Sequence, residues 1–318
     1  MIIAMAIILG CFAMLAGMSH LRHQLYLRDI RRFDPANLPK AHHLFRLMVC
    51  HEYPLHFFYV ILKAIIDTFS SPPIAERLLA TGKFSQRALQ RLGDTAFFFG
   101  VMVRAQAKDK QNRWHPEIQA TLEELDRTHR ATGALIEYHH EHFVATLGGV
   151  LQAYVDWFYV YGWRRPLPQE VAVVHAFLAD LAKAMGLVRF PKSADELLAW
   201  NSDYESRWFS QAEENTIYAQ WSEELLDAVL EALADLAPRL IARQTLEDIL
   251  FTIGSKNFLK SYLAPRPPMD RQKKIYRLLR RLRLLGKLWA FFFPFRLRPF
   301  NFRGVALWMR KKAKEKNG

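Results

Sequence analysis

Two helical stretches of this sequence carry side chains able to do chemistry. In the first, Arg91, Thr95, Phe98 and Met102 fall at spacings of four, three and four, so a guanidinium and a hydroxyl share one face with large apolar groups, and Asp94 stands beside them. A buried Arg needs an anionic partner: Asp94 or Glu76 in a structural ion pair, or an acidic group on a cofactor such as a haem propionate. In the second, Ile118, Leu122 and Leu125 form an inward stripe that His129 continues, so a ring nitrogen rides on an apolar face. Such an imidazole is either a core histidine hydrogen-bonded to main chain or a neutral ligand for a metal or haem iron.

Other constellations are weaker. Glu137-x-x-His140 has the spacing by which a helix presents a carboxylate and an imidazole to a di-iron pair, but the chain holds one copy where a symmetric centre needs two. His139, His140, Glu141 and His142 also read as a polar helix start. His51-Glu52-Tyr53-Pro54-Leu55-His56 mimics a zinc-protease motif, yet its histidines are five apart and a proline intervenes, so they cannot share one helix face. Cys11 and Cys50 are too few for a disulfide framework or a cysteine-based zinc site.

The elements that position these groups are helical, because apolar residues recur at helical spacing with almost no period-two alternation. Apolar faces split near Pro54, and Pro72-Pro73 opens a segment that Gly82 closes. Further helices are expected near 85–106, 115–131, 134–160, 169–185, 193–206, 211–234 and 237–253. With 51% hydrophobic and 24% charged residues among 318, the chain is too apolar for disorder. The expected architecture is all-α: a single helical-bundle domain over about 20–262, flanked by an N-terminal membrane helix over 1–19 and a basic amphipathic tail over 263–318.

Charge separates these parts. Arg271 to Gly318 holds 16 Lys and Arg against one acid, Glu315, whereas residues 1–270 hold 28 bases and 30 acids, so a net +15 tail follows a body of net −2. The tail also carries Leu278, Leu279, Leu284, Leu285, Trp289 and Phe291-Phe292-Phe293, long aliphatic and aromatic groups that suit the headgroup region of an anionic membrane better than nucleic acid. Met1 to Ser19 contains no charge and is long enough to span a bilayer core of about 30 Å. Lacking a basic start, it reads as an uncleaved anchor rather than a signal peptide. Arg22, Arg28, Arg31 and Arg32 follow it, which places the main domain on the cytoplasmic side.

Leu78-Leu79-Ala80-Thr81-Gly82-Lys83-Phe84 followed by Arg91-Leu92-Gly93-Asp94-Thr95 resembles a pattern of the MpaB and rubber-oxygenase family, helical haem-associated oxygenases related to latex-clearing proteins. Thr128-His129, then Trp157 through Tyr161-Gly162-Trp163-Arg164, then Trp200, Tyr204-Glu205 and Asn215 follow in the family's order, so the likeness runs from about Arg28 to Leu230. It implies a b-type haem with His129 as the iron ligand and a polar distal side drawn from Arg91, Asp94 and Thr95, with Phe97, Phe98, Phe99 and Met102 as apolar walls. Asp94 stands where latex-clearing enzymes carry a Lys, which brings the chain nearer the MpaB branch; Gln152-Ala153-Tyr154 departs from the Glu-Pro expected there. The implied function is a membrane-associated oxygenase using O2 on an apolar unsaturated lipid or isoprenoid, by oxidative cleavage of a double bond or by its oxygenation, with an electron donor the sequence does not name and no nucleic-acid partner. The alternatives are a helical lipid-binding or membrane-scaffold protein that has lost haem, and a di-metal oxidase.

Overall fold

The first helix, α1 (Ile2–Arg31), runs unbroken through the expected anchor and into the body. Ser19, His23, Tyr26 and Ile30 recur at spacings of four, three and four and are all buried, so this stripe docks on the domain, whereas Met5, Met14, Met18 and Leu21 are exposed. The structure, a computed structural model, describes residues 2–104, 107–109, 111–131, 140–236, 242–263, 267–292 and 300–317. Within α1 the side chains of 2–4, 6–9 and 12 lie outside the described residues.

Helix α2 (Leu38–Leu47) starts where the Asn37 side chain accepts from the Lys40 amide at 3.0 Å. A π-helical turn (Met48–Glu52) leads to Pro54, which opens α3 (Pro54–Phe69) as its missing amide proton permits. Pro72 opens α4 (Pro72–Ala80), and Gly82, at a φ of 61°, turns the chain into α5 (Lys83–Met102). Non-helical dihedrals at Arg87 give the Arg91–Met102 stretch its own helical run. Then come α6 (Pro116–Ala131), α7 (His140–Val160), α8 (Pro168–Ala184) and α9 (Ala194–Trp208). The helix expected over 211–234 is divided into α10 (Gln211–Glu214) and α11 (Thr216–Leu236). Asn215 adopts an extended conformation between them, and its side chain accepts from the Ile217 amide at 3.0 Å. The chain continues with α12 (Arg243–Ile253), α13 (Lys256–Lys260), α14 (Met269–Phe292) and α15 (Phe302–Asn317). Among the described residues there is no strand, only an isolated bridge between Lys108 and Trp114.

The helices make one all-α domain with two main apolar centres, and α3 joins them. Phe57, Val60 and Ala64 belong to a cluster with Phe45, Tyr154, Phe158 and Phe177, while Ile66 and Phe69 belong to one with Leu226, Phe251, Phe258 and Met309. Among the described residues, α7 is the helix long and apolar enough to cross a bilayer, but 56% of its apolar window is buried inside the fold. It is a central core helix, with Val144, Leu147, Leu151, Tyr154 and Phe158 among its buried residues.

The end of the chain is also part of the fold. Phe302, Ala306, Met309 and Ala313 form a buried stripe on α15, seated against α5. Two glycines allow this approach: an ideal Cβ at Gly100 would lie 2.9 Å from the Arg303 amide nitrogen, and one at Gly93 would lie 3.2 Å from the Arg310 side chain.

Candidate functional site

Three-point-six residues per turn put Gly93, Phe97 and Gly100 on one side of α5 and Arg91, Thr95, Phe98 and Met102 on the other. The first side is closed by α15, with Phe97 lying beneath the Arg303 and Arg310 guanidinium groups at 5.3 and 4.3 Å. The second side is different: Arg91, Thr95 and Phe98 are half-buried and Met102 is buried. Thr95 Oγ1 donates to the Arg91 carbonyl at 3.0 Å, which holds the hydroxyl against its own helix.

Asp94 sits between the two sides and is drawn to the first. Arg310 donates to its Oδ1 through Nε at 2.8 Å and through a terminal nitrogen at 2.7 Å. Its ion-pair partner therefore comes from the far end of the sequence, at a separation of 216 residues. His129 belongs to α6, which packs against α5, but its side chain lies outside the described residues.

The fit to a haem follows from this donor set. Arg91 and Thr95 put a cation and a hydroxyl on the half-buried face that also carries Phe98, with Met102 buried beneath it, and these are the residue types that an anionic, largely apolar group would meet. Asp94 is engaged by Arg310 and does not fit the expected distal role. On the neighbouring side of α5, the hole among Phe58, Ile61, Leu92, Ala96 and Phe99 measures about 30 Å³, room for water and not for a porphyrin.

Several other histidines have structural partners. Arg22 donates to His51 Nε2 at 3.2 Å and His23 donates to Glu52 at 2.8 Å, so the false zinc motif ties α1 to the π-helical turn. His140 Nε2 donates to the Arg189 carbonyl at 2.6 Å, while Glu137 and His139 lie outside the described residues. His142 and Ser71 both hydrogen-bond the Tyr204 hydroxyl, at 2.6 and 2.7 Å. Among the described residues no group of three His, Cys, Asp or Glu is placed to hold a metal ion.

Arg164, last residue of the Tyr-Gly-Trp-Arg block, forks onto Glu170 with contacts of 2.7 and 2.6 Å. Glu170 is fully buried and also accepts from the Tyr26 and Tyr53 hydroxyls and the Leu167 amide. One carboxylate thus fastens α1, α3's entry and α8. Gly162 is required two residues earlier, since a Cβ there would fall 2.6 Å from the Phe158 carbonyl and 2.7 Å from the Arg164 carbonyl.

A cavity of about 490 Å³ lies elsewhere, between α3, α7 and α9, with Ile253 of α12 and Asn257 of α13 also in its lining. Lys63 and Asp67 form an ion pair in its lining, which Asp156 and Glu205 share. Burial pushes the Asp67 carboxyl above its usual range; burial, reinforced by Asp67, pushes Glu205 up to about 7, and Lys63 opposes both shifts. Tyr59 stacks on Trp157 at 3.8 Å and Tyr161 lies 4.8 Å beyond, making an aromatic wall. Trp157, Tyr161 and Glu205 are landmarks of the resemblance, and the fold brings them together here. Lys63 and Asp67 were not singled out from sequence. Their signal was the four-residue spacing of opposite charges on an otherwise apolar helix.

No protein-family model matches this chain, and no curated protein matches it.

Proposed function

We propose that this protein is a membrane-anchored oxygenase of the MpaB and rubber-oxygenase kind, acting on an apolar unsaturated lipid or isoprenoid. The observation that supports it is the side of α5 turned away from α15, where half-buried Arg91, Thr95 and Phe98 are carried beside the helix that bears His129. His129 would hold a b-type haem, with Arg91 meeting a propionate or an oxygen-bearing ligand. When bound, that group supplies iron-centred activation of O2. Arg91 contributes fixed positive charge, the Thr95 hydroxyl, whose proton goes to the Arg91 carbonyl, offers its oxygen as an acceptor, and the half-buried Phe98 beside them lowers the local dielectric. Asp94 positions α15 through Arg310 and has no part in the chemistry.

The membrane reading is supported by α1, whose exposed Met14, Leu15, Met18 and Leu21 face outward where the helix leaves the body. Helix α14 packs against α1 and exposes Leu278 and Leu284 among Arg277, Arg280 and Arg281, the pattern of a helix lying at the headgroup level. Arg22, Arg28, Arg31 and Arg32, on the carboxyl side of the apolar segment, support a domain on the cytoplasmic side. A non-catalytic lipid-binding protein is the second reading, favoured by the engagement of Asp94 and the tight closure of the Gly93–Gly100 side.

The test is the ultraviolet-visible spectrum of the detergent-purified chain, with and without dithionite. The oxygenase reading expects a haem band that His129→Ala abolishes, together with O2-dependent products from a long olefin. Arg91→Lys keeps the charge and loses the planar fork, so its rate falls between wild type and Arg91→Ala. A colourless protein gives the scaffold reading. For the membrane part, deletion of residues 1–19 should leave a protein that salt releases from anionic vesicles, and release without added salt would refute binding by α14.

A further inference from the structure

The cleft between α3, α7 and α9 has no role in the oxygenase reading, yet its lining is selective. We propose that it binds an organic ammonium ion, a protonated aliphatic amine, with Asp156 and Glu205 as acceptors beside the Tyr59–Trp157 wall.

Charge is the first argument. Three carboxylates, of Asp67, Asp156 and Glu205, share the cleft with one ammonium, that of Lys63. Lys63 is already committed: it pairs with Asp67 and sits 4.9 Å above the Phe258 ring. Asp156 and Glu205 accept instead from neutral carboxamides, Gln152 Nε2 at 2.9 Å to each Asp156 oxygen and Asn201 Nδ2 at 3.0 Å to Glu205. These bonds orient the carboxylates without neutralising them, so Lys63, the ammonium that favours the ionised forms of both Asp67 and Glu205, is set against three acidic groups. A cation entering the cleft supplies the compensation, and an N–H donor supplies it with a charge-assisted hydrogen bond.

Shape is the second. About 490 Å³ is enough for a small molecule or an aminoalkyl headgroup, and not for a folded partner. Aromatic rings along the wall suit a cation carrying methylenes, through an open ring face and apolar contact. Trp157 is fixed for this by its indole N–H, which donates to His56 Nδ1 at 2.8 Å. Position is the third. Val160 lines the cleft, and Arg283 of α14 donates to its carbonyl at 3.2 Å, so the cleft opens beside the helix read above as lying at the headgroup level. The same ammonium chemistry therefore has two sources, a soluble amine or the headgroup of an aminolipid.

The experiment titrates full-length, haem-free protein in detergent with n-butylamine and ethanolamine by calorimetry, with 1-butanol as the neutral isostere. Saturable binding of both amines, absent for 1-butanol and weakened at least tenfold in Asp156→Asn and in Glu205→Gln, is the expected result. Asp156 is exposed, so its substitution leaves the core intact and a folding defect in the Glu205 variant does not decide the outcome. Nanodiscs of phosphatidylethanolamine that compete with butylamine, where phosphatidylcholine does not, identify the lipid source; no competition from either identifies a soluble amine. The proposal is overturned by the lack of saturable amine binding, by equal binding of 1-butanol, or by wild-type affinity in Asp156→Asn. Because the protein carries no haem in this assay, failure of the oxygenase reading leaves its outcome untouched.

Discussion

The indole nitrogen of Trp157 donates to Nδ1 of His56, joining α7 to α3 across 101 residues of sequence. The acceptor must be the neutral imidazole, and burial enforces that state by pushing the His56 pKa down to about 4. The folded pKa lies below the unfolded value of about 6.5, so this contribution is present above pH 6.5 and is lost as pH falls towards 4. Thermal unfolding from pH 7.5 to 4 should show a loss on the order of 3 kcal/mol from this group, and His56→Gln should flatten that part of the profile. An unchanged profile in the variant would assign the acid sensitivity to other groups.

Glu205 acts with the opposite sign. Its folded pKa of about 7 exceeds the unfolded value, so the folded state holds the proton more tightly and stability falls as pH rises from about 4.5 to 7. Glu205→Gln keeps the shape and removes the titration. Its unfolding free energy should therefore gain on wild type steadily across that interval, measured by urea titration at fixed pH values.

The Arg164–Glu170 fork is buried on its acidic side and surrounded by donors. Removing one member leaves the other charge without its partner, so Arg164→Ala should cost about 3–5 kcal/mol in urea unfolding. Gly162→Ala should disturb the same pair, because the added methyl displaces the Phe158 or Arg164 carbonyl. Wild-type stability in Gly162→Ala would show that the loop yields more readily than its 2.6 Å approach suggests.

Gly100→Ala places a methyl against the α15 main chain and should loosen that helix while α5 keeps its helical propensity. Limited proteolysis should then cut near residue 300 at least several-fold faster than in wild type. The half-exposed Asp94–Arg310 pair is a smaller matter, and Arg310→Ala should cost about 0.5–1 kcal/mol beyond its lost packing.

Periodicity carried most of the architecture. The proline starts of α3 and α4, the Gly82 turn and the α6 stripe of Ile118 and Leu122 were all legible, because each follows from local sterics or from burial of one face. The break at Asn215 was not. It depends on an asparagine side chain replacing a helical hydrogen bond, a choice that composition does not reveal. The fate of the basic tail was partly hidden for a related reason. Charge dominates its reading, yet the spacing of Phe302, Ala306, Met309 and Ala313 is that of a docked helix. At the candidate site, Arg91 and Thr95 share the face their spacing required, while Asp94 turned to an arginine 216 residues away, a contact no local pattern encodes. The cleft beside Tyr59 and Trp157 was the least visible part, since its lining comes from α3, α7, α9, α12 and α13 and exists only once they meet.

Because α1 is one uninterrupted helix whose buried stripe ends inside the domain at Ile30, with Tyr26 bonded to Glu170, no linker lies between the apolar segment and the core. If residues 1–19 sit in a bilayer as proposed, a body mounted on so stiff a mast cannot tumble freely over it. Its posture would follow the tilt of α1, so a change in membrane thickness would lean the whole domain and raise or lower the mouth of the cleft relative to the lipid surface.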